Sequence, residues 1–135
     1  MPTLTRWYIK SGLVYLILAV IMGASIKTSF SESSYFSKLT PVYYHFFMVG
    51  WVTQLIFGIS FWMFPRYTRE KPRGNETLAW ITFALINIGL LLRAISEPIS
   101  MSSPSVFWGI MMVVSGILQW LAAFGYVVHI WYRIK

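Results

Sequence analysis

PVYYHFFMVGWVTQLIFGISFWMFPRYTREKPR, Pro41 to Arg73, decides the fold of this chain. Its first part, Pro41 to Phe64, is an almost unbroken apolar run. It exceeds the ~20 residues that a helix needs to cross a bilayer. Backbone groups in lipid must be hydrogen-bonded within their own segment, so the run reads as a helix. Pro65 closes it, and charge returns at once with Arg66, Arg69, Glu70, Lys71 and Arg73. An apolar span followed by a cation cluster is the pattern of a helix that ends on the cytoplasmic side of a membrane.

Three more runs flank this one. They are Ser11 to Ile26, extended at its start by Trp7, Tyr8 and Ile9; Thr77 to Ile95; and Ser105 to Tyr132. The predicted fold is an all-α membrane protein, a single domain over residues 1–135 with four transmembrane helices. The first run has no small-residue cleavage site ahead of a soluble region, so it reads as a retained anchor. Basic residues cluster at the N-terminus (Arg6, Lys10), in the second connection and at the C-terminus (Arg133, Lys135), while the other two connections hold only Lys27 and Lys38. This alternation places both termini in the cytoplasm. Trp7, Trp62, Trp80, Trp108 and Trp131 stand near span ends, as an interfacial belt would. The loop from Lys27 to Thr40 is expected to lie against the outer surface.

Composition agrees. The chain is 57% hydrophobic and 11% charged, where a soluble domain carries about 25% charged residues. The net charge of +7 does not indicate nucleic acid, because the cations sit at the ends of apolar segments and not along one exposed face. The chain has no cysteine, which excludes disulfides, thiolate metal sites, CxxC redox chemistry and thioether-linked haem.

Within the spans, few residues carry chemistry. Glu32, Glu70, Glu76 and Glu97 are placed in loops or at span ends, which argues against a proton-coupled transporter built on an intramembrane acid. His45 lies about one turn inside the outer end of the second span. On a helical wheel its face continues through Val49, Val52, Ile56 and Met63, all apolar. Gly50, Gln54 and Gly58 define the opposite face, where small residues let another helix approach and Gln54 hydrogen-bonds across the contact. One imidazole on an apolar wall suits a haem edge. An interfacial histidine bonded to a backbone carbonyl or a lipid headgroup would sit at the same depth, and the span alone leaves both readings open.

Arg93 lies near the outer end of the third span, on the same side as His45. It suits a haem propionate by its fork geometry, or it pairs with Glu97 four residues on. His129 stands at the other membrane face and is read as structural. Asn87 and Gln119 read as interhelical hydrogen-bond partners, and Gly109, Gly116 and Ala123 as a close-packing seam on the fourth span. The scattered methionines read as core. No catalytic residue is assigned.

HFFMVGWVTQLIFGISFWMFPR, His45 to Arg66, resembles the second helix of small membrane proteins related to subunit I of the haem-copper oxidases, including nitric oxide reductase and NnrS-like relatives. The shared pattern is His45, Gly50, Trp51, Ile56, Phe57, Gly58 and Pro65. Arg6 to Gly23, Asn87 to Arg93 and Ser115 to Arg133 resemble the first, third and fourth helices of that group. The resemblance implies a single four-helix arc of the oxidase body. It further implies non-covalent haem b on His45 near the outer side, with Arg93 at a propionate, and a homotrimer that rebuilds the twelve-helix body, or else a dimer. Tyr43 stands where many of the small group have a further histidine. No copper and no reduction of oxygen to water are expected, because the histidines of a copper site are missing.

The resulting expectation is a membrane cytochrome, in a prokaryotic cytoplasmic membrane, that transfers electrons to an unidentified redox partner or binds a diatomic gas such as NO or O2. The competing expectation is a structural or assembly protein that kept the fold without the metal.

Overall fold

The computed structural model describes residues 1–28, 38–65, 67 and 74–134. Four of its helices are long and apolar enough to cross a membrane: α1 (Thr3–Thr28), α2 (Thr40–Met63), α3 (Glu76–Ser102) and α4 (Val106–Trp131). The all-α, four-span expectation therefore holds. The basic cluster Arg66, Arg69, Lys71 and Arg73, Lys135, and most of the first connection lie outside the described residues. Below, the inner end is the one that bears the chain termini. The outer end bears the α1–α2 and α3–α4 connections.

Helix boundaries follow local chemistry. Asn75 caps α3 by accepting the Leu78 N–H on its side chain at 3.1 Å. Ser105 does the same for α4 by accepting the Trp108 N–H at 3.4 Å. Ser103, which precedes Pro104, leaves the helical region with φ −138° and ψ 84°, and this ends α3. α3 runs further than its hydropathy predicted. It continues past Ile95 through Glu97 and Pro98 to Ser102. A proline costs its helix one N–H donor, but packed neighbours make this tolerable in membrane helices. Here the Ser102 hydroxyl donates to the Pro98 carbonyl at 2.9 Å, tying the last turn back on itself. Glu97 is consequently not a loop residue: it lies within α3 and is 5% exposed.

α2 is the centre of the arc. About 39% of its most apolar stretch is buried, against 11% for α4. Its predicted packing face is the observed one. A Cβ at Gly50 would stand 2.7 Å from the Tyr15 ring, and one at Gly58 would stand 2.6 Å from the Tyr8 Cβ. Glycine at both positions lets α1 approach α2 closely. Between them Gln54, fully buried, accepts from Ser11 of α1 at 2.6 Å and donates to Asn87 of α3 at 3.2 Å. One amide thus ties three helices together inside the membrane. Tyr8 packs edge-on against Phe57 and Phe83, at 6.3 and 4.9 Å, on the inner side of this network.

α4 lies along α3. Ser115 donates to the Gly89 carbonyl at 2.9 Å, and a Cβ at Gly89 would meet Gln119 at 2.9 Å. The contact line of α4 is Ser115, Ala122 and His129, all buried. The sequence reading placed the heptad seam one residue away, on Gly109, Gly116 and Ala123. The structure turns that line outward: among the described residues, nothing beyond the helix's own nearby backbone lies within 4 Å of a Cβ at Gly109 or Gly116. The spacing was right and the phase was off by one position, about 100° of rotation. α4 reaches α2 at the inner end, where Tyr126 stacks on Phe57 at 3.7 Å and donates to Ser60 at 2.9 Å.

Candidate outer-end histidine site

α2 is not one regular α-helix. Thr40–His45 is α-helical, Phe46–Thr53 is a π-helix and Gln54–Met63 is α-helical again. The Thr53 hydroxyl donates to the Met48 carbonyl at 2.9 Å, a five-residue step that matches the wider turn. π segments are costly and gather at functional sites. This one begins at the residue after His45. Because it rotates less per residue, the apolar face predicted below His45 does not form a continuous wall. Val49 and Val52 are half-buried, whereas Ile56 and Met63 are 56% and 69% exposed.

The His45 ring is held from within its own helix. Its Nδ1 lies 2.8 Å from the Pro41 carbonyl oxygen. A carbonyl only accepts, so Nδ1 carries the proton and donates. The neutral ring then has its lone pair on Nε2, which makes no hydrogen bond to any described residue. The side chain is 28% exposed, so the ring is reachable from outside the bundle.

A carboxylate sits behind it. Glu97 Oε2 is 3.8 Å from His45 Nδ1, and Oε1 is 3.4 Å from Arg93 Nε on the preceding turn of α3. Arg93 also reaches α4, donating from Nη1 to the Met112 carbonyl at 3.4 Å. The structure therefore brings the two sequence-predicted residues, His45 and Arg93, to the two sides of one buried acid. The Arg93–Glu97 pair is the alternative the sequence offered for Arg93, and the contact is present. The burial of Glu97 beside His45 was not legible, because hydropathy treats any charge before a proline as the end of a span.

At the inner end, His129 is buried and meets the Phe61 ring edge-on at 4.9 Å. It borders a cavity of about 80 Å³ lined by Thr5, Phe61, Glu76, Trp80 and Arg133, among others. It stands beside the last turns of α2, sixteen residues from His45 (about 24 Å along a helix), so the two imidazoles cannot share one metal within a chain. Among the described residues no three His, Cys, Asp or Glu side chains gather to hold a metal ion.

Four membrane-capable helices, with one histidine near the outer end of the second, fit a single small arc of the haem-copper oxidase subunit I kind. The chain matches the family model described as Cytochrome C and Quinol oxidase polypeptide I over residues 3–135, and it belongs to that family. No curated protein and no solved structure matches it.

The family implies haem and, in its large members, copper. The residues fit the first and not the second. A metal-binding histidine characteristically donates its other ring N–H to a carbonyl or carboxylate, which fixes the tautomer and leaves the ligating nitrogen bare. His45 meets that condition, and the same bond to a backbone carbonyl is the one expected of an interfacial histidine. A copper centre needs several histidines together, and this chain has two in all, at opposite ends of α2.

Proposed function

We propose that this chain is a haem-b membrane protein in which His45 Nε2 is an axial ligand near the outer end of the bundle. The observation that carries the reading is the Nδ1 hydrogen bond to Pro41, which leaves Nε2 bare on a partly exposed ring. Haem, when bound, would supply one-electron chemistry or an open iron position for a diatomic gas. His45, its ring oriented by the Pro41 bond, would hold the iron, and Arg93, on the same side, would neutralise propionate charge. Both termini lie in the cytoplasm by the charge alternation, in a prokaryotic cytoplasmic membrane. A homotrimer fits the outward Gly109–Gly116–Ala123 line of α4, where a second copy could pack as closely as α1 packs on α2.

The test is optical. The detergent-purified protein is scanned oxidised, dithionite-reduced, and reduced with CO. Sharp reduced bands unmoved by CO indicate a six-coordinate electron-transfer haem with His45 of two chains as ligands. A CO-shifted spectrum indicates an open iron site and gas binding. A chain that stays colourless after haem is supplied during expression and after purification refutes the reading and leaves a structural or assembly role. Crosslinking that stops at a trimer or at a dimer decides the assembly.

A further inference from the structure

Glu97 poses a problem that the haem reading alone does not solve. Its side chain is only 6% exposed. Oε2 is fully buried and has no hydrogen-bond partner, and the Nε of Arg93 beside Oε1 has none either. An ionised carboxylate away from water is strongly unfavourable unless charge or donors surround it. One long contact to Arg93 is a weak counterweight. His45 Nδ1 lies 3.8 Å from the orphaned oxygen. That nitrogen is already committed to Pro41, so Glu97 does not act on it as a hydrogen-bond acceptor. It acts through its charge.

We infer that Glu97 is a positioning residue for His45: its carboxylate, steered by Arg93, stabilises the positive charge that an iron-ligated imidazole acquires. The inference rests on the haem reading and deepens it. Ligation at Nε2 draws electron density from the ring and makes Nδ1–H more positive. A buried anion 3.8 Å away offsets that charge in a medium of low effective dielectric. The unsatisfied Oε2 is then explained: its counter-charge is weak in the metal-free ring and grows when iron binds. Ferric iron carries one more positive charge than ferrous, so the carboxylate favours the oxidised state and lowers the reduction potential. Carboxylates behind metal-bound histidines are known to tune basicity in this way. Arg93 opposes the effect through Oε1 and keeps Glu97 aimed at α2.

The experiment compares the full-length haem-loaded wild type with Glu97→Gln and Glu97→Asp by spectroelectrochemical titration. Glu97→Gln keeps the shape and removes the charge. It is expected to retain haem and to shift the oxidised-to-reduced ratio at a given potential at least tenfold toward reduced, a midpoint rise of about 59 mV for one electron. Glu97→Asp keeps the charge and should recover more than half of that shift. A Gln variant at the wild-type potential overturns the inference while leaving haem ligation intact. If the Gln variant loses its haem, the Asp variant decides: retention with a near-wild-type potential supports the charge role, and loss overturns it. A wild-type chain that takes up no haem overturns the haem reading, and the inference with it, before any variant is compared.

Discussion

Replacing Arg133 by alanine should unfasten the inner end of α2. Arg133 follows α4 and is 2% exposed. Its Nε donates to the Pro65 carbonyl at 3.1 Å, and its Nη2 donates to the carbonyls of Phe64 and Phe61 at 2.9 and 3.2 Å. The Phe61 carbonyl belongs to the last turn of α2 and those of Phe64 and Pro65 follow it directly, where a helix leaves its C=O groups without intrahelical donors and its dipole is negative. The guanidinium therefore caps α2 from another helix, roughly 70 residues away in sequence. Hydrogen bonds inside membrane proteins average only about 0.6 kcal/mol each, whereas bonds to charged groups reach about 1.5 kcal/mol or more. Three such bonds bracket the loss between about 2 and about 4.5 kcal/mol. The assay is reversible SDS unfolding in mixed micelles, followed by tryptophan fluorescence. Arg133→Lys retains the charge but not the fork, and should recover less than half of the loss. An alanine variant within about 0.5 kcal/mol of wild type would refute the reasoning, since that is the scale of an ordinary surface substitution.

Other expectations follow from the packing and the site. Gly58→Ala places a methyl 2.6 Å from the Tyr8 Cβ, so α1 and α2 must separate; the expected destabilisation is about 1–3 kcal/mol in the same unfolding assay. Gln54→Leu removes the bonds to Ser11 and Asn87 and leaves these two partly buried groups only their bonds to the Tyr8 and Phe83 carbonyls, with a loss of about 1–2 kcal/mol and unchanged helix content by circular dichroism. His45→Ala should abolish haem binding without unfolding the helices, and a full complement of haem in that variant would end the proposal. Arg93→Ala should weaken haem retention by less than loss of the ligand does, and unchanged retention would remove Arg93 from the site.

The spans were legible because length and hydropathy measure the transfer of a helix into lipid, and that term dominates here. The α1–α2 face was legible too, since Gly50 and Gly58 flanking Gln54 can only be a close approach with a polar bond across it. Three features were not. The π segment after His45 arises from fitting Gly50 against Tyr15 while keeping Gln54 on its partners, which is a tertiary requirement. The extension of α3 past Pro98 depends on Glu97 packing inward toward α2, and one-dimensional hydropathy assigns any such acid to a boundary. The α4 seam has two small-residue lines one position apart, Ser115–Ala122 and Gly109–Gly116–Ala123. Their sequences do not say which line meets α3 and which faces outward. Arg133 looked like a topology charge because its partners are backbone carbonyls, which sequence composition does not register.

The two ends of α2 show how a buried charge can be read. At the inner end Arg133 is buried and three carbonyls receive its donors. Such an arrangement lowers the energy of the fold as it stands. At the outer end a carboxylate is buried with an oxygen that nothing satisfies, behind an imidazole whose second nitrogen is bare. That arrangement costs stability in the isolated chain. A sequence under selection for folding alone would replace Glu97 with Gln or Leu at little loss, because His45 already has Pro41 to bond. Intramembrane ionisable groups that the fold does not need are the ones that function retains. The pair His45–Glu97 is of that kind, and a metal that ligates His45 would add to the counter-charge that Arg93 supplies through Oε1.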